Sequence, residues 1–411
     1  VKDVPAPRDI AGNVLVENTI SLISAGTEKS TVDMAKKSIV GKAAARPDLV
    51  KKVIAQISKN GVVDTAKMVF NRLDSMAALG YSSVGLARTV GRDVTDIKVG
   101  QRVACAGQNY ASHAEIISVP KNLCVPVPDN VTDEQACFVT LGAIAMQGVR
   151  QASPKLGDVV AVIGLGLLGQ ITIQLLIANG CNVIATDLDA SKLELAESFG
   201  AKAVPPSKFE ETVASLTNEY GADCTIITAS TKANAPIESA AVVTRMKGSV
   251  IVVGAVGMNL PREPFYVKEL ELKLSMSYGP GRYDPQYEEG GIDYPYHYVR
   301  WTERRNMNSF LDLISQNKIN VDSLITHSFE INDAENAYNL IESGVEPYLG
   351  ILLTYPSRTA KELLSITVQE KKNAKCNLGI IGAGNHVKDM LLPNLLNKSD
   401  VSFLGVCSGT G

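Results

Sequence analysis

One run in this 411-residue chain carries residue types spaced for phosphate chemistry: Gly164-Leu-Gly-Leu-Leu-Gly169. Between a strand and a helix, the first glycine of G-x-G-x-x-G makes a tight turn. The second lets the backbone approach a pyrophosphate, and the third lets the helix pack closely. The helix N-terminus beyond offers amide donors and partial positive charge. Asp187 follows Gly166 by 21 residues, where a carboxylate accepts from both hydroxyls of an adenosine ribose. No arginine follows it, and Asp189 would repel a 2′-phosphate, so the expected cofactor is NAD(H) rather than NADP(H). Cofactor contacts are expected from Gly164, Gly166, Leu167, Leu168, Gly169 and Asp187, with Ala229 and Gly254 at the ends of two later strands. The plainer reading is a glycine turn that binds nothing; strand, spacing and acid agree against it.

The other reactive types are dispersed. Seven cysteines occur without a CxxC, and four histidines sit without ligand spacing, so no metal site is expected. Most cysteines lie in apolar runs such as Cys224-Thr-Ile-Ile, which reads as buried free thiols in a reducing cytoplasm. His113 and His327 read as structural strand residues, and His297 stands among tyrosines. The segment 278–305 gathers six of the thirteen tyrosines, the single tryptophan and several arginines.

The elements that must position these residues change character along the chain. Residues 1–149 read as short, β-branched strands bounded by glycine or proline, among them 13–20, 84–90, 101–106 and 114–119. Within them, 29–72 has helical composition, with Pro47 near a helix start, and reads as an inserted roof. From about 150 strands and helices alternate: Val159-Val-Ala-Val-Ile is a continuous apolar run, as in a parallel strand buried on both faces. A helix 170–179, a strand 182–186, a helix 191–199 and strands at 224–228 and 249–254 follow, which predicts a doubly wound α/β sheet. The stretch 263–276 reads as an edge strand and 306–316 as a helix; 325–354 gives strand, helix and strand. Residues 356–376 are polar and lysine-rich, a linker. At Leu378-Gly-Ile-Ile-Gly-Ala-Gly-Asn-His the strand-to-glycine-turn pattern restarts, with a helix 387–397 and a strand 401–407. One such unit cannot bury both faces of its sheet, so 377–411 is expected to open a truncated domain. Val1 is not an initiator residue, so the native N-terminus is expected to lie upstream.

Composition bounds the function. Apolar residues at 45% and charged residues at 20% are those of a globular chain, too long for a single core. A net charge of −3 provides no field to hold a phosphate backbone, which excludes nucleic acid as an expected partner. No apolar stretch reaches the ~20 residues that span a bilayer.

The order of parts resembles the medium-chain dehydrogenase/reductase superfamily, the zinc-type alcohol dehydrogenase-like proteins, over about 10–355. The likeness rests on Ile23-Ser-Ala-Gly-Thr-Glu28, Gly80-Tyr-Ser-Ser-Val-Gly85, Ile97-Lys-Val-Gly-Gln-Arg-Val103, the glycine fingerprint and Ile325-Thr-His-Ser-Phe-Glu with Ala334-Glu-Asn-Ala-Tyr. It implies a β-rich GroES-like catalytic domain over 1–149, completed by 290–355, and a Rossmann domain over 150–289. Zinc-bearing members carry a cysteine, a histidine and a third Cys or Glu ligand. Here those positions are Ala25, Tyr81, followed by Ser82 instead of glutamate, and a place near Thr140. Alanine has no lone pair and a phenol is a poor ligand at neutral pH, so the resemblance is to a zinc-independent member. The structural-zinc cysteine cluster is absent too, with only Cys105 and Cys124 between Gln101 and Val127.

A hydride leaving an alcohol carbon requires the hydroxyl proton to depart as well. Thr27 stands where the family places its proton-relay hydroxyl and Tyr81 in the vacated histidine position; Glu28 is a third candidate. Tyr81 reads equally as a residue that fills the zinc void. The tail, Gly379-Ile-Ile-Gly-Ala-Gly-Asn-His-Val with Leu391-Leu-Pro, is similar to the start of the glucose–fructose oxidoreductase/inositol dehydrogenase family, with Val387 in place of the third glycine. The combination resembles two-domain oxidoreductases of bacterial surface-polysaccharide gene clusters and implies a carbohydrate-like substrate. Arg282, Tyr283 and Arg300, beside Asp284 and Glu288, would then bind sugar hydroxyls or a diphosphate; the same segment also reads as a solvated interdomain or dimer-contact loop. The expectation is an NAD-dependent alcohol dehydrogenase-like enzyme, a homodimer through an edge strand. A quinone or enone reductase and a catalytically decayed nucleotide-binding scaffold are the alternatives.

Overall fold

The computed structural model describes residues 1–4, 6–8, 10–36, 78–356, 376–384, 386–396 and 398–407. The chain divides into two compact units, one formed by Val1, 9–26 and 79–355, the other by 2–8, 27–78 and 356–411.

In the larger unit the glycine- and proline-bounded runs form β1 (Asn13–Ile23), β2 (Ser82–Val90), β3 (Arg102–Ala106), β4 (Ile116–Pro120) and β5 (Cys124–Pro126). Next come β6 (Val159–Ile163), β7 (Asn182–Thr186), β8 (Lys202–Val204), β9 (Ala222–Ile227), β10 (Thr244–Val252) and β11 (Glu271–Leu274). The return segment supplies β12 (Ile325–Glu330) and β13 (Gly350–Thr354) around the helix Ala334–Ser343. The first sheet runs β12-β13-β1-β2-β3-β5, with β4 also on β1, so the return segment joins the N-terminal sheet.

The second sheet runs β11-β10-β9-β6-β7-β8, with every pairing parallel. Two halves thus diverge from the neighbours β6 and β9, the doubly wound order whose crevice lies beyond the carboxyl ends of those strands. The interior strand β6 is buried from Val160 to Ile163, as its unbroken apolar run requires.

The boundary expected at 149/150 falls inside one continuous helix, Val139–Ala152. Its Leu141, Ala145 and Met146 share a core with Val103 and Val125 of the first sheet and with Ile171 and Leu175 of the helix Leu167–Ala178. The helix is a common wall, which is why the larger unit does not split there. The stretch 263–276, expected to be one edge strand, is instead a helix, Arg262–Val267, then the short strand β11. Pro261 and Pro264 have no backbone N–H and favour a helix start over a ladder; the edge position of β11 is as expected. His113 precedes β4 rather than lying in a strand.

In the other unit, the helix Ala25–Lys36, counted there from Thr27, is the described part of the expected helical insert; 37–72 lies outside the described residues, as does 357–375 of the linker. The tail forms β14 (Cys376–Ile381) parallel to β15 (Val401–Cys407), and Gly382 takes φ +86° at the turn after β14. No described side chain of β14 or β15 is buried.

Candidate active site

At the carboxyl end of β6 the glycines are fixed by contact. Gly164 takes φ +98°, and a Cβ on it would lie 2.6 Å from the Ala229 nitrogen. A Cβ on Gly169 would lie 2.0 Å from the Gly164 carbonyl oxygen, and one on Gly254 would lie 2.0 Å from the Ala229 oxygen. Gly166 differs: it begins the helix Leu167–Ala178 without a side-chain cap, and a Cβ there would meet nothing within 4 Å. The first hydrogen bond of that helix runs from the Gln170 N–H to the Gly166 carbonyl at 2.9 Å. The amides of Leu167, Leu168 and Gly169 are therefore the donors that a helix start leaves for a ligand.

Asp187 stands beside this turn. One carboxylate oxygen accepts the Leu165 N–H at 2.6 Å and the other the Asp189 N–H at 3.0 Å. A carboxylate has about four acceptor sites, so about two remain for ribose hydroxyls. Asp189 begins the helix Ala190–Ser198, accepting the Ser191 N–H at 3.0 Å and its hydroxyl at 2.7 Å, with Lys192 Nζ at 3.5 Å. The Ser191 hydroxyl, more than Lys192, holds its carboxyl below the usual range. A charge engaged in this way repels a 2′-phosphate less than a free one, which corrects that part of the sequence argument; Asp187 carries the rest.

The positions that zinc ligands would occupy are only partly joined. The half-buried Tyr81 offers its carbonyl to the Gly107 N–H and to the Thr140 hydroxyl, each at 3.0 Å. The buried Ser82 hydroxyl donates to the Cys137 carbonyl at 2.6 Å and accepts the Thr140 N–H at 3.2 Å. Thr140 is thus committed to the backbone that carries Tyr81. Ala25 packs among the apolar cluster around Ile23 and Ile331. Alanine, a phenol and a committed hydroxyl are not a zinc donor set. Among the described residues no three His, Cys, Asp or Glu side chains group to hold a metal. Thr27 and Glu28 lie in the other unit, Thr27 exposed and Glu28 buried.

His113 is the neighbour that the sequence reading passed over. Its N–H donates to the Leu79 carbonyl at 2.8 Å, and its ring lies where a Cβ on Gly80 would come within 2.7 Å. Its Nδ1 is 2.7 Å from the buried Ser21 hydroxyl, itself 2.7 Å from the Tyr355 hydroxyl. The signal was Gly80: at φ +88° it admits both the turn into Tyr81 and the imidazole against it.

The 278–305 segment separates into two clusters. In the first, Arg282 pairs with buried Glu288 at 2.7 Å and lies 4.2 Å over the exposed Tyr283 ring. Glu303 beside them is fully buried, and neither of its oxygens has a hydrogen-bond partner among the described residues. Burial first, then the Glu288 charge, pushes its carboxyl up to about 9, against the pull of Arg282. Tyr110 donates to Glu289 at 3.2 Å; its phenol is pushed up to about 12 by burial and Glu289. Arg300 belongs to the second cluster, 3.7 Å over the Trp301 ring, and no hydrogen bond, ion pair or ring contact joins it to Arg282 or Tyr283.

Comparison with known proteins gives the context. The family model "Zinc-binding dehydrogenase" matches residues 168–289. A probable D-xylulose reductase A of Aspergillus clavatus is 26% identical over 302 residues, 65% of this chain and 77% of that one. An alcohol dehydrogenase of Geobacillus stearothermophilus is 30% identical over 211 residues, 44% of this chain and 62% of that one. Among solved structures, the alcohol dehydrogenase TADH from Thermus sp. ATN1 superposes with a TM-score of 0.63 at 19% identity, covering 86% of this chain and 96% of its own. A zinc-binding dehydrogenase-like structure from Sinorhizobium meliloti 1021, bound to NADP, gives 0.62 at 18% identity over 86% and 95%. An alcohol dehydrogenase from E. coli CFT073 with NADH gives 0.61 at 19% identity over 85% and 94%. These superpositions establish the α/β fold.

Proposed function

We propose that this chain, an oxidoreductase acting on CH–OH groups, belongs with the medium-chain, zinc-type alcohol dehydrogenase-like proteins that it resembles and uses NAD(H) and no catalytic zinc. One observation carries the reading: a glycine turn pinched shut by backbone on one side and open at Gly166 on the other, with Asp187 beside it, at the divergence of β6 and β9. Gly164, Gly166 and Gly169, with the amides of Leu167 and Leu168, would hold the pyrophosphate, Asp187 the adenosine ribose, and Ala229 and Gly254 the adjoining wall. Bound there, a nicotinamide supplies or accepts the hydride. The protein orients the reactants, excludes water and moves the hydroxyl proton.

Tyr81 is our first choice for that proton, because its backbone is clamped by Gly107, Thr140 and the imidazole of His113 against Gly80. Thr27 and Glu28 are the further candidates. The substrate we infer is a secondary alcohol or ketone of a sugar or sugar nucleotide. The exposed Tyr283 ring, backed by Arg282 in its ion pair with Glu288, supports that reading with a stacking face such a molecule needs. Arg300, stacked on Trp301, makes no contact with these two and is a further candidate for the substrate. The edge strand β11, with Leu274 65% exposed, supports a homodimer. The absence of any disulfide among the described cysteines supports a reducing, cytoplasmic setting. Within the other unit, the strand–glycine-turn–strand of β14 and β15 supports the likeness to the glucose–fructose oxidoreductase family. Among the described residues no helix is long and apolar enough to cross a membrane.

The test is Tyr81→Phe and Thr27→Ala, each assayed against a panel of polyols, ketoses and sugar nucleotides with NAD(H). Loss of the proton-transfer group lowers kcat by about 10²–10⁴ with KM little changed. Wild-type kcat in both variants rules the route out.

A further inference from the structure

The imidazole that packs on Gly80 is one link of a longer chain. His113 Nδ1 lies 2.7 Å from the Ser21 hydroxyl, and that oxygen lies 2.7 Å from the Tyr355 hydroxyl. Three segments far apart in sequence supply the links: β1, the loop before β4, and the residue after β13. All three belong to the larger unit. Each is also fixed through its backbone. Ser21 pairs with Ser83 of β2 on one side and Leu353 of β13 on the other. The His113 N–H donates to the Leu79 carbonyl at 2.8 Å, and the Tyr355 N–H to the Thr19 carbonyl at 3.0 Å.

Packing alone does not call for this chain. Ser21 is fully buried, and Ile23 and Leu353, which share its face of the sheet, pack in the apolar cluster around Ile331. An apolar side chain at 21 would suit that face without a hydroxyl to satisfy. Holding the imidazole against Gly80 needs only the bond from Ser21. The Tyr355 hydroxyl adds a second bond and extends the chain to a residue that is partly exposed. A serine hydroxyl donates once and accepts twice, so it can take a proton from one neighbour while it gives its own to the other. Both separations are those of hydrogen bonds along which a proton can pass.

We propose that His113, Ser21 and Tyr355 form a proton relay between the Tyr81 turn and solvent. The inference rests on the reading that Tyr81 takes the hydroxyl proton of the substrate. As the alcohol is oxidised, its hydroxyl proton passes to Tyr81 and the phenol gives up its own. His113 takes that proton at Nε2 and releases the one on Nδ1 to Ser21 Oγ. Ser21 passes its hydroxyl proton to Tyr355, and Tyr355 passes its own to water. One proton leaves the protein, each group in the chain ends neutral, and reduction of a ketone runs the same chain in reverse.

The test follows NADH formation in single turnovers of the full chain, with NAD and the polyol of the panel above that it oxidises fastest. Ser21→Ala and Tyr355→Phe should each slow the step at least tenfold with substrate affinity unchanged. Imidazole buffer should restore the rate in both, because a diffusible base replaces the missing link, and should leave the wild-type rate as it is. Tyr355→Phe keeps the ring that packs on the Ile331 cluster, so it decides the question if Ser21→Ala fails to fold. A loss that buffer does not restore marks a structural role and overturns the relay. A wild-type rate in Tyr355→Phe, with Tyr81→Phe inactive, overturns the relay and leaves the role of Tyr81 standing. A wild-type rate in Tyr81→Phe, or no turnover of any polyol, overturns the underlying reading and the relay with it.

Discussion

Alanine at Gly166 and at Gly169 should separate what the glycine turn does for the cofactor from what it does for the fold. At Gly169 the new methyl would lie 2.0 Å from the Gly164 carbonyl oxygen, well inside van der Waals contact, so the helix Leu167–Ala178 must shift off β6 by more than an ångström. Overpacking of this kind costs about 1–3 kcal/mol, and with backbone as the obstacle the upper end is expected. At Gly166 the same methyl meets nothing within 4 Å and φ is −67°, so only the loss of a tolerated helix-start residue is felt, about 1 kcal/mol or less. In the proposed binding mode that methyl projects into the open side of the turn, where the pyrophosphate would approach. Loss of one charge-assisted hydrogen bond is worth about 1.5–3 kcal/mol, a roughly 10–100-fold weaker complex. Urea unfolding and NADH titration of the same samples check both numbers. Gly169→Ala should lose stability and affinity together, and Gly166→Ala affinity alone. Wild-type NADH affinity in Gly166→Ala refutes the reasoning, because the open side of the turn would then not face the cofactor.

Two further outcomes follow from the site. Glu303 is neutral in the fold up to about 9 but ionises near 4.5 when the chain unfolds, so the native state holds the extra proton between those values. Stability should therefore fall as pH rises from 5 to 9, by a few kcal/mol in total, and Glu303→Gln should flatten the decline in urea titrations across that range. With Ala25, Tyr81 and Thr140 where zinc ligands would stand, dialysis against a chelator should leave turnover unchanged; a loss restored by zinc would reveal ligands elsewhere.

The fold was legible where pattern and burial agree. The apolar run of β6, the fingerprint after it and the return segment 325–354 are local signals, and the strands there fall within a few residues of their expected places; β5 and β8, three residues each, are too short to show a pattern and were not expected. The helix Val139–Ala152 was not readable as a shared wall, because its apolar residues serve two cores that the chain brings together only in three dimensions. At the site, Gly164, Gly169 and Asp187 announce themselves by spacing. The contact of His113 with Gly80, by contrast, joins segments 33 residues apart with no periodicity to mark it. Arg282 and Arg300 were grouped by nearness in sequence, yet one is closed into an ion pair and the other stacks on an indole. Composition finds such residues but does not sort them.

A crystal structure of the chain with NAD(H) tests the central claim most directly. The account predicts the adenosine ribose hydroxyls within about 3 Å of the Asp187 carboxylate, the pyrophosphate over Gly166, and no metal beside Tyr81 and Thr140. A ribose held elsewhere, or a zinc ion at those two residues, would contradict it.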